Sequence, residues 1–347
     1  MLFRIAFISL FIFAIELVIS LPASSKMSTT FAQPLIGDVP PTHDGGAIST
    51  VKLAELERPS RNLLIEYTLG KLNDERSKLH LPLLKLSDNK AAQIHAEELL
   101  STKSSEPSHF STNGMKPYMT YSLYGGRGYV EQNLAISGYD TKASINCKAL
   151  QCDKLNPYEQ ISKIQWSMMY NDSKCCHDRH RLNILDNHHT HVGIGVAYND
   201  YYFALVENFE NKYVKLNESI TQDNKHINFV GRIEPPTNNT YSIDTIAIYY
   251  DPTPTPLLYG QNKNSKSYSL GNLSALVVKP APLFYQYQKP ANYKLIEANT
   301  WHDDNQTVEI RFDLSSLISK HGVYTIVTYL KDPKTDSFPA MSYSVFV

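Results

Sequence analysis

The chain has no excess of charge of either sign: 33 Lys and Arg stand against 34 Asp and Glu in 347 residues, and the sequence pI is near 6.9. A nucleic-acid partner needs a basic field to displace counterions from phosphates, and an anionic membrane surface needs one too, so neither is favoured by the whole-chain balance. Charge of any kind is sparse, at 19% of residues, whereas tyrosine is abundant at 23, a composition that fits a secreted, β-rich surface. Cysteine is scarcer still. The four, Cys147, Cys152, Cys175 and Cys176, lie between positions 147 and 176, and no pair has CxxC spacing. An even set in an exported chain favours disulfides, and the pairings that join the 147–152 loop to the 175/176 pair are expected, because a bond between adjacent residues is strained. The rival reading is a zinc site built from these thiols with His177.

What is present begins with an export pattern. Arg4 precedes an apolar run from Ile5 to Leu21, and small and polar residues follow it. Residues 1–23 are therefore expected to form a signal peptide and the mature chain to be secreted or displayed at the cell surface. The run is at the lower limit for spanning a bilayer and contains Glu16, so it would serve as an N-terminal membrane anchor only if it escaped cleavage. Asn-x-Ser/Thr triplets stand at Asn171, Asn217, Asn238, Asn272 and Asn305, acceptors for glycans in an exported chain. Residues 24–58 carry Pro, Thr, Ser and Gly without periodicity and read as a flexible linker.

From Pro59 the pattern turns helical. Ile65, Leu69 and Leu72 recur at helical spacing with Pro59 in a first turn; Ala92, Ala96 and Leu99 follow a Ser87/Asp88 cap; Ile161, Ile164 and Met168 follow Asn156, Pro157 and a capping-box Glu159. The period then changes to two. Val192, Ile194, Val196 and Tyr198 alternate with small residues, and Asn199–Asp200 reads as a two-residue hairpin turn before "YYFALVENFE". Helical signals nearly vanish from about Lys225 onward, where only "SSLISKH" hints at a helical turn and β-branched and aromatic segments are separated by Pro, Asn, Asp and Gly. The reading is an α+β chain: one α/β domain over 59–215 and an all-β sandwich-like domain over 225–347.

The motifs "NDER" (Asn73–Arg76), "AAQIHAEEL", "SHFS", "EQNLA", "HRLNIL" and "VGIGVAY", in that order, resemble the CAP superfamily of cysteine-rich secretory, venom antigen and pathogenesis-related proteins, in its prokaryotic form. The resemblance covers about 59–215. It implies an α/β/α sandwich, here followed by the β-sandwich, with a cleft holding two histidines and, in many members, two glutamates. His109 in "SHFS" and His180 in "HRLNIL" match the histidines. Gln132 stands where the family's first glutamate is usual, with Glu131 one residue earlier, and Met169 occupies the place of the second.

Two neutral imidazoles can hold zinc or another divalent cation, with Glu131, Asp172 or Asp178 supplying an oxygen or orienting a ring. Gln132 can orient a ring but cannot act as a base near neutral pH. The expectation is a non-catalytic binding protein whose cleft residues His109, Glu131, Gln132 and His180 take a divalent metal, through His109 and His180, or a small amphipathic or surface ligand. The alternatives are a metal-dependent hydrolase in which Glu131 moves the proton, and a structural or adhesive protein acting through the β-sandwich. His95 reads as a packing residue, and His188, His189 and His191 as members of a solvated loop.

Overall fold

The computed structural model describes residues 58–347 apart from 104–105, 140–146, 218–219, 221–224, 236–239, 305 and 332–335. The expected signal, nearly all of the linker, and the triplet asparagines Asn238 and Asn305 lie outside the described residues. In chain order the elements of the first lobe are α1 (Arg61–Lys78), β1 (Lys85–Leu86), α2 (Ala91–Thr102), α3 (Pro117–Leu123), β2 (Tyr129–Gly138), α4 (Cys147–Leu150), α5 (Pro157–Tyr170), α6 (Ser173–Cys176), α7 (Arg179–Leu185), β3 (His191–Tyr198) and β4 (Tyr202–Asn211). The second lobe follows with β5 (Val214–Leu216), β6 (His226–Ile233), β7 (Ser242–Pro252), α8 (Pro256–Asn262), β8 (Asn272–Val278), β9 (Lys294–Glu297), β10 (Thr300–His302), β11 (Thr307–Asp313), β12 (Gly322–Lys331) and β13 (Phe338–Phe346).

Local chemistry sets the helix starts. Ser60 caps α1 by accepting the Leu63 N–H, which places Pro59 outside the helix rather than in its first turn. For α2 the Asn89 side chain takes the Ala91 N–H at 3.0 Å, so the start lies beyond the expected Ser87/Asp88 cap. At α5 Asn156 accepts from Tyr158 and Glu159 with Pro157 in the first turn, as the sequence indicates; the Glu159 carboxylate pairs with Lys163.

In the first lobe the strand order is β1-β3-β4-β2, with β1 parallel to β3 and the other pairs antiparallel. The alternation of β3 sends Val192, Ile194 and Val196 to one face, against Leu64, Leu72, Ile161, Met168 and Ile184 of α1, α5 and α7. Ala197 goes to the other face, where Ala204 and Val206 meet Ala92, Ala96 and Leu99 of α2. Helices on both faces of one sheet make the α/β/α layering that the resemblance implies. Gly195 is required by this packing, because a Cβ there would collide with the Ala92 carbonyl. The β3–β4 turn is shifted by one residue from the expected one: Asn199 pairs with Tyr202 and its side chain accepts from both Tyr201 and Tyr202 N–H groups, leaving Asp200 and Tyr201 at the corner.

The second lobe packs the sheet β10-β11-β6-β5 on the sheet β13-β12-β7-β8-β9. Its core is made by inward residues of both, among them Ile227, Phe229, Ile248, Ile310, Phe312 and Ile326. The helix α8 was not among the sequence-based expectations, although Thr255 caps it and Pro256 opens it. The lobes are closely joined, and residues 57–347 form one compact unit. Ser344 N–H donates to Ser122 Oγ at 2.8 Å, Asn211 Nδ2 donates to the Pro339 carbonyl at 2.7 Å, and both Tyr118 OH (2.6 Å) and Lys116 Nζ (2.7 Å) bind the buried Asp251 carboxylate.

The cysteines correct the expected cross-links. Cys147 bonds Cys152, and Cys175 bonds its neighbour Cys176. A tight turn, closed by the Cys152 N–H on the Cys147 carbonyl, brings the first pair together on its own, and α6 holds the second pair in a separate turn. With both sulfurs of the adjacent pair bonded to each other, the zinc reading with His177 loses its thiolates. Among the described residues no helix is long and apolar enough to cross a membrane.

Candidate functional site

A cleft of about 320 Å³ opens where β2 and α7 of the first lobe face the segment 266–270 of the second. His109, Glu131, Gln132 and His180 all line it. His109 follows Ser108, whose carbonyl is held by His95 Nε2 at 2.8 Å, so the buried His95 acts as the packing residue that the sequence indicates and fixes the strand of chain leading to the cleft.

Each histidine is oriented through Nδ1. Gln132 Oε1 lies 3.0 Å from His109 Nδ1, and the Gln132 amide is itself directed by its Nε2, which donates to Asn208 Oδ1 at 3.0 Å. The amide oxygen can only accept, so His109 carries its proton on Nδ1. Asp172, buried at the start of α6, accepts from His180 Nδ1 at 2.6 Å and from the His180 backbone N–H at 2.8 Å. Both rings are thus tethered through Nδ1, and among the described residues neither Nε2 has a hydrogen-bond partner. Burial pushes the His109 pKa down to about 4, against the Gln132 bond, and keeps that ring neutral near pH 7.

An acidic side of the cleft was only partly foreseen. The carboxylates of Glu131 and Asp186 and the ring of His189 converge, with one ligating atom of each within 4.8 Å of the others. The Glu131 carboxyl is raised by burial and by the charge of Asp186. Burial opposes ionisation of Asp186 as well, but its bonds to the His188 N–H (2.7 Å) and Nδ1 (2.9 Å) hold it down at about 2. His189 is the correction to the solvated-loop expectation: it is 1% exposed, stacks on Phe209 and has an amide oxygen within hydrogen-bond distance of each ring nitrogen. Nδ1 meets Asn211 Oδ1 at 2.6 Å and Nε2 meets Asn183 Oδ1 at 2.8 Å. The outer ends of these amides are anchored too. Asn211 Nδ2 donates to the Pro339 carbonyl, while Asn183 Nδ2 donates to Asn133 Oδ1 and Asn133 Nδ2 to the His180 carbonyl. Burial pushes the His189 pKa down to about 4, against the pull of Asp186 and Asn211.

Two further contributors escaped the sequence reading. Arg76, the last residue of "NDER", is fully buried and donates to the carbonyls of Pro82, Ile184, Asp186 and His189, so it fixes the loop that presents the acidic side. Tyr268 comes from the second lobe. Its hydroxyl accepts the Gln132 N–H at 3.1 Å, and its ring lies 5.1 Å from that of His109. Lys266 and Leu270 flank it in the cleft wall. The cleft is therefore a feature of both lobes.

The Cysteine-rich secretory protein family, CAP, matches residues 69–209. No curated protein matches the chain. Among solved structures, an extracellular protein of Bacillus anthracis containing an SCP domain shares 18% identity over 44% of this chain, with a TM-score of 0.31, and the match spans 41% of that protein's length. An outer surface protein of Borrelia burgdorferi shares 12% over 44% of this chain and 97% of its own (TM-score 0.30), and the CAP domain of enterococcal PrgA shares 19% over 47% of this chain and 68% of its own (TM-score 0.30).

Proposed function

Because residues 69–209 are a domain of the CAP family, we propose that the chain is a secreted or cell-surface binding protein that uses the cleft between its lobes and leaves its ligand chemically unchanged. The observation that carries this reading is the common tethering of His109 and His180 through Nδ1, which leaves a neutral nitrogen on His109 and an unbonded Nε2 on each ring. Around them the lining alternates between apolar surface, as at Tyr118, Leu182 and Leu270, and charge, as at Arg179, Lys266 and Glu131. A cavity of this size and mixture suits a small amphipathic molecule.

The proposal extends to a divalent cation, for which donors of this chemistry are suited. Two oriented imidazoles are the ordinary nitrogen ligands of zinc, and each already has the outer hydrogen bond that fixes a metal-binding tautomer. They are one protein ligand short of the usual catalytic zinc set, so the site proposed is open and weak, one in which the ion would supply positive charge for a ligand. Zinc titrated into the purified protein by calorimetry is expected to bind, and a His109→Ala/His180→Ala double variant to bind at least about tenfold more weakly. Equal affinity in the double variant would remove the metal from the proposal and leave the small-molecule site standing.

One observation favours a hydrolase as the second reading, namely the raised Glu131 carboxyl beside the cleft, a group suited to moving a proton. Metal-dependent turnover of ester or peptide libraries that disappears in His180→Ala would replace binding by catalysis.

A further inference from the structure

Between β8 and β9 the second lobe sends out an excursion, residues 279–293, that ends in a tight turn. Tyr285 N–H donates to the Pro282 carbonyl at 3.0 Å, and the two corner residues are Leu283 and Phe284. They are 90% and 104% exposed, more than any other large apolar side chains in the described residues. Phe284 also has a φ of +67°, a conformation that such a turn normally gives to glycine or asparagine. A bulky apolar pair, fully in water and on strained backbone, contributes nothing to the fold that holds it.

The limbs behind the tip are built, not loose. Tyr287 OH donates across to the Lys279 carbonyl at 2.9 Å, Ala281 N–H is held by Glu297 at 2.7 Å, and the Tyr285 and Tyr287 rings meet edge-on at 5.2 Å. The excursion itself is basic although the whole chain is balanced: Lys279 and Lys289 are its ionic residues, and no Asp or Glu occurs from 279 to 293. Lys279 pairs with Asp303 at 3.4 Å, and Lys294 opens β9 beside Ala275 and donates to the Ser316 carbonyl at 2.7 Å, which leaves Lys289 as the cation that follows the tyrosines of the outer limb.

We infer that this tip enters the interface of a phospholipid bilayer, with Leu283 and Phe284 below the headgroups, Tyr285 and Tyr287 at their level, and Lys289 facing anionic lipid. The shape selects this occupant. Two adjacent residues on a convex turn present no groove or flat patch to a protein partner, which would need a matching pocket, whereas a bilayer deforms around them. Apolar tip, tyrosines and then lysine is the order in which a membrane interface changes from hydrocarbon to anionic surface.

The test places a reporter at the tip of the full chain, because the apolar run Ile5–Leu21 can itself hold the protein on vesicles. Phe284→Trp, with Leu283→Trp as a second probe, is mixed with phosphatidylcholine vesicles containing phosphatidylserine, with and without bromine on the acyl chains. The added emission is expected to shift to the blue and lose roughly half its intensity to bromine, while the parent's Trp166 and Trp301 change little. Vesicles of phosphatidylcholine alone are expected to give several-fold less quenching, through loss of the lysine contribution. Bound chain whose tip tryptophans stay in water overturns the inference and assigns the tip to a protein pocket. Failure of the chain to bind either vesicle overturns it as well, and equal quenching on both vesicles overturns the role given to Lys289.

Discussion

Replacing Arg76 by methionine is expected to lower the stability of residues 57–347 by about 3–5 kcal/mol, read as a fall in the denaturant midpoint without a change of slope. The guanidinium is 0% exposed and its partners are carbonyl oxygens at 2.7–3.3 Å. Burial lowers its pKa and the nearby Asp186 carboxylate opposes that shift, but a guanidinium remains charged throughout the useful range. Methionine fills much of the volume and takes this donor from the carbonyls of the buried Ile184 and His189, each loss costing on the order of 1–3 kcal/mol. Lysine is expected to recover part of the loss, since one ammonium cannot span carbonyls drawn from three separate turns of chain. A loss under about 1 kcal/mol in Arg76→Met would show that water replaces the side chain. The effect reaches the cleft as well, because Asp186 and His189 are carried by the loop that Arg76 secures.

The opposite sign is expected at Glu207. This β4 residue is fully buried; its Oε1 accepts from Gln165 and its Oε2 has no partner. Burial raises its pKa from 4.5 to about 8, against the Gln165 bond. Below pH 4.5 both folded and unfolded chains hold the proton and the group has no effect on stability. As pH rises from there to about 8 the unfolded chain has released the proton and the folded chain has not, so stability falls by about 1.4 kcal/mol per pH unit. Glu207→Gln keeps a neutral amide in the same space and removes that slope. Its advantage over the parent is expected to grow from about 1 kcal/mol at pH 5 to about 4 kcal/mol at pH 8, measured by denaturant titration across that range. An advantage independent of pH would mean that Glu207 is ionised in the folded chain.

The layered first lobe was legible because each of its signals is local. The periods of 3.6 and 2, the Asn156–Pro157 start and the glycines of β3 all report on neighbours within a few residues. The two cleft histidines were legible for a different reason, the order of short motifs, and their chemical partners were half visible: Gln132 was read as an orienting residue, and Asp172 was one of three candidates for holding a ring. What failed was long-range. The Tyr268 contact to Gln132 crosses 136 positions and two lobes, and no local pattern encodes it. "HHTH" has the composition of a solvated loop, yet His189 is buried because β4 supplies Asn211 and Phe209, β2 supplies Asn133 and α7 supplies Asn183. The disulfides failed in the other direction. Expecting a cross-link between two regions overlooked that each pair is already brought together by its own turn. The helix α8 had its start signals in Thr255 and Pro256, but they sit in "DPTPTPLL", whose prolines read as loop.

The line of hydrogen bonds through His189 has one property that its individual distances do not express. It runs from the His180 carbonyl in the cleft wall to the Pro339 carbonyl in β13, and both ends are acceptors. A line of donors that terminates on an acceptor at each end must reverse direction once, and the imidazole is the place where this one turns. A neutral ring has a single hydrogen to give. It can close the link toward Asn183 and the cleft, or the link toward Asn211 and the second lobe, and the tautomer chosen decides which half of the molecule holds it.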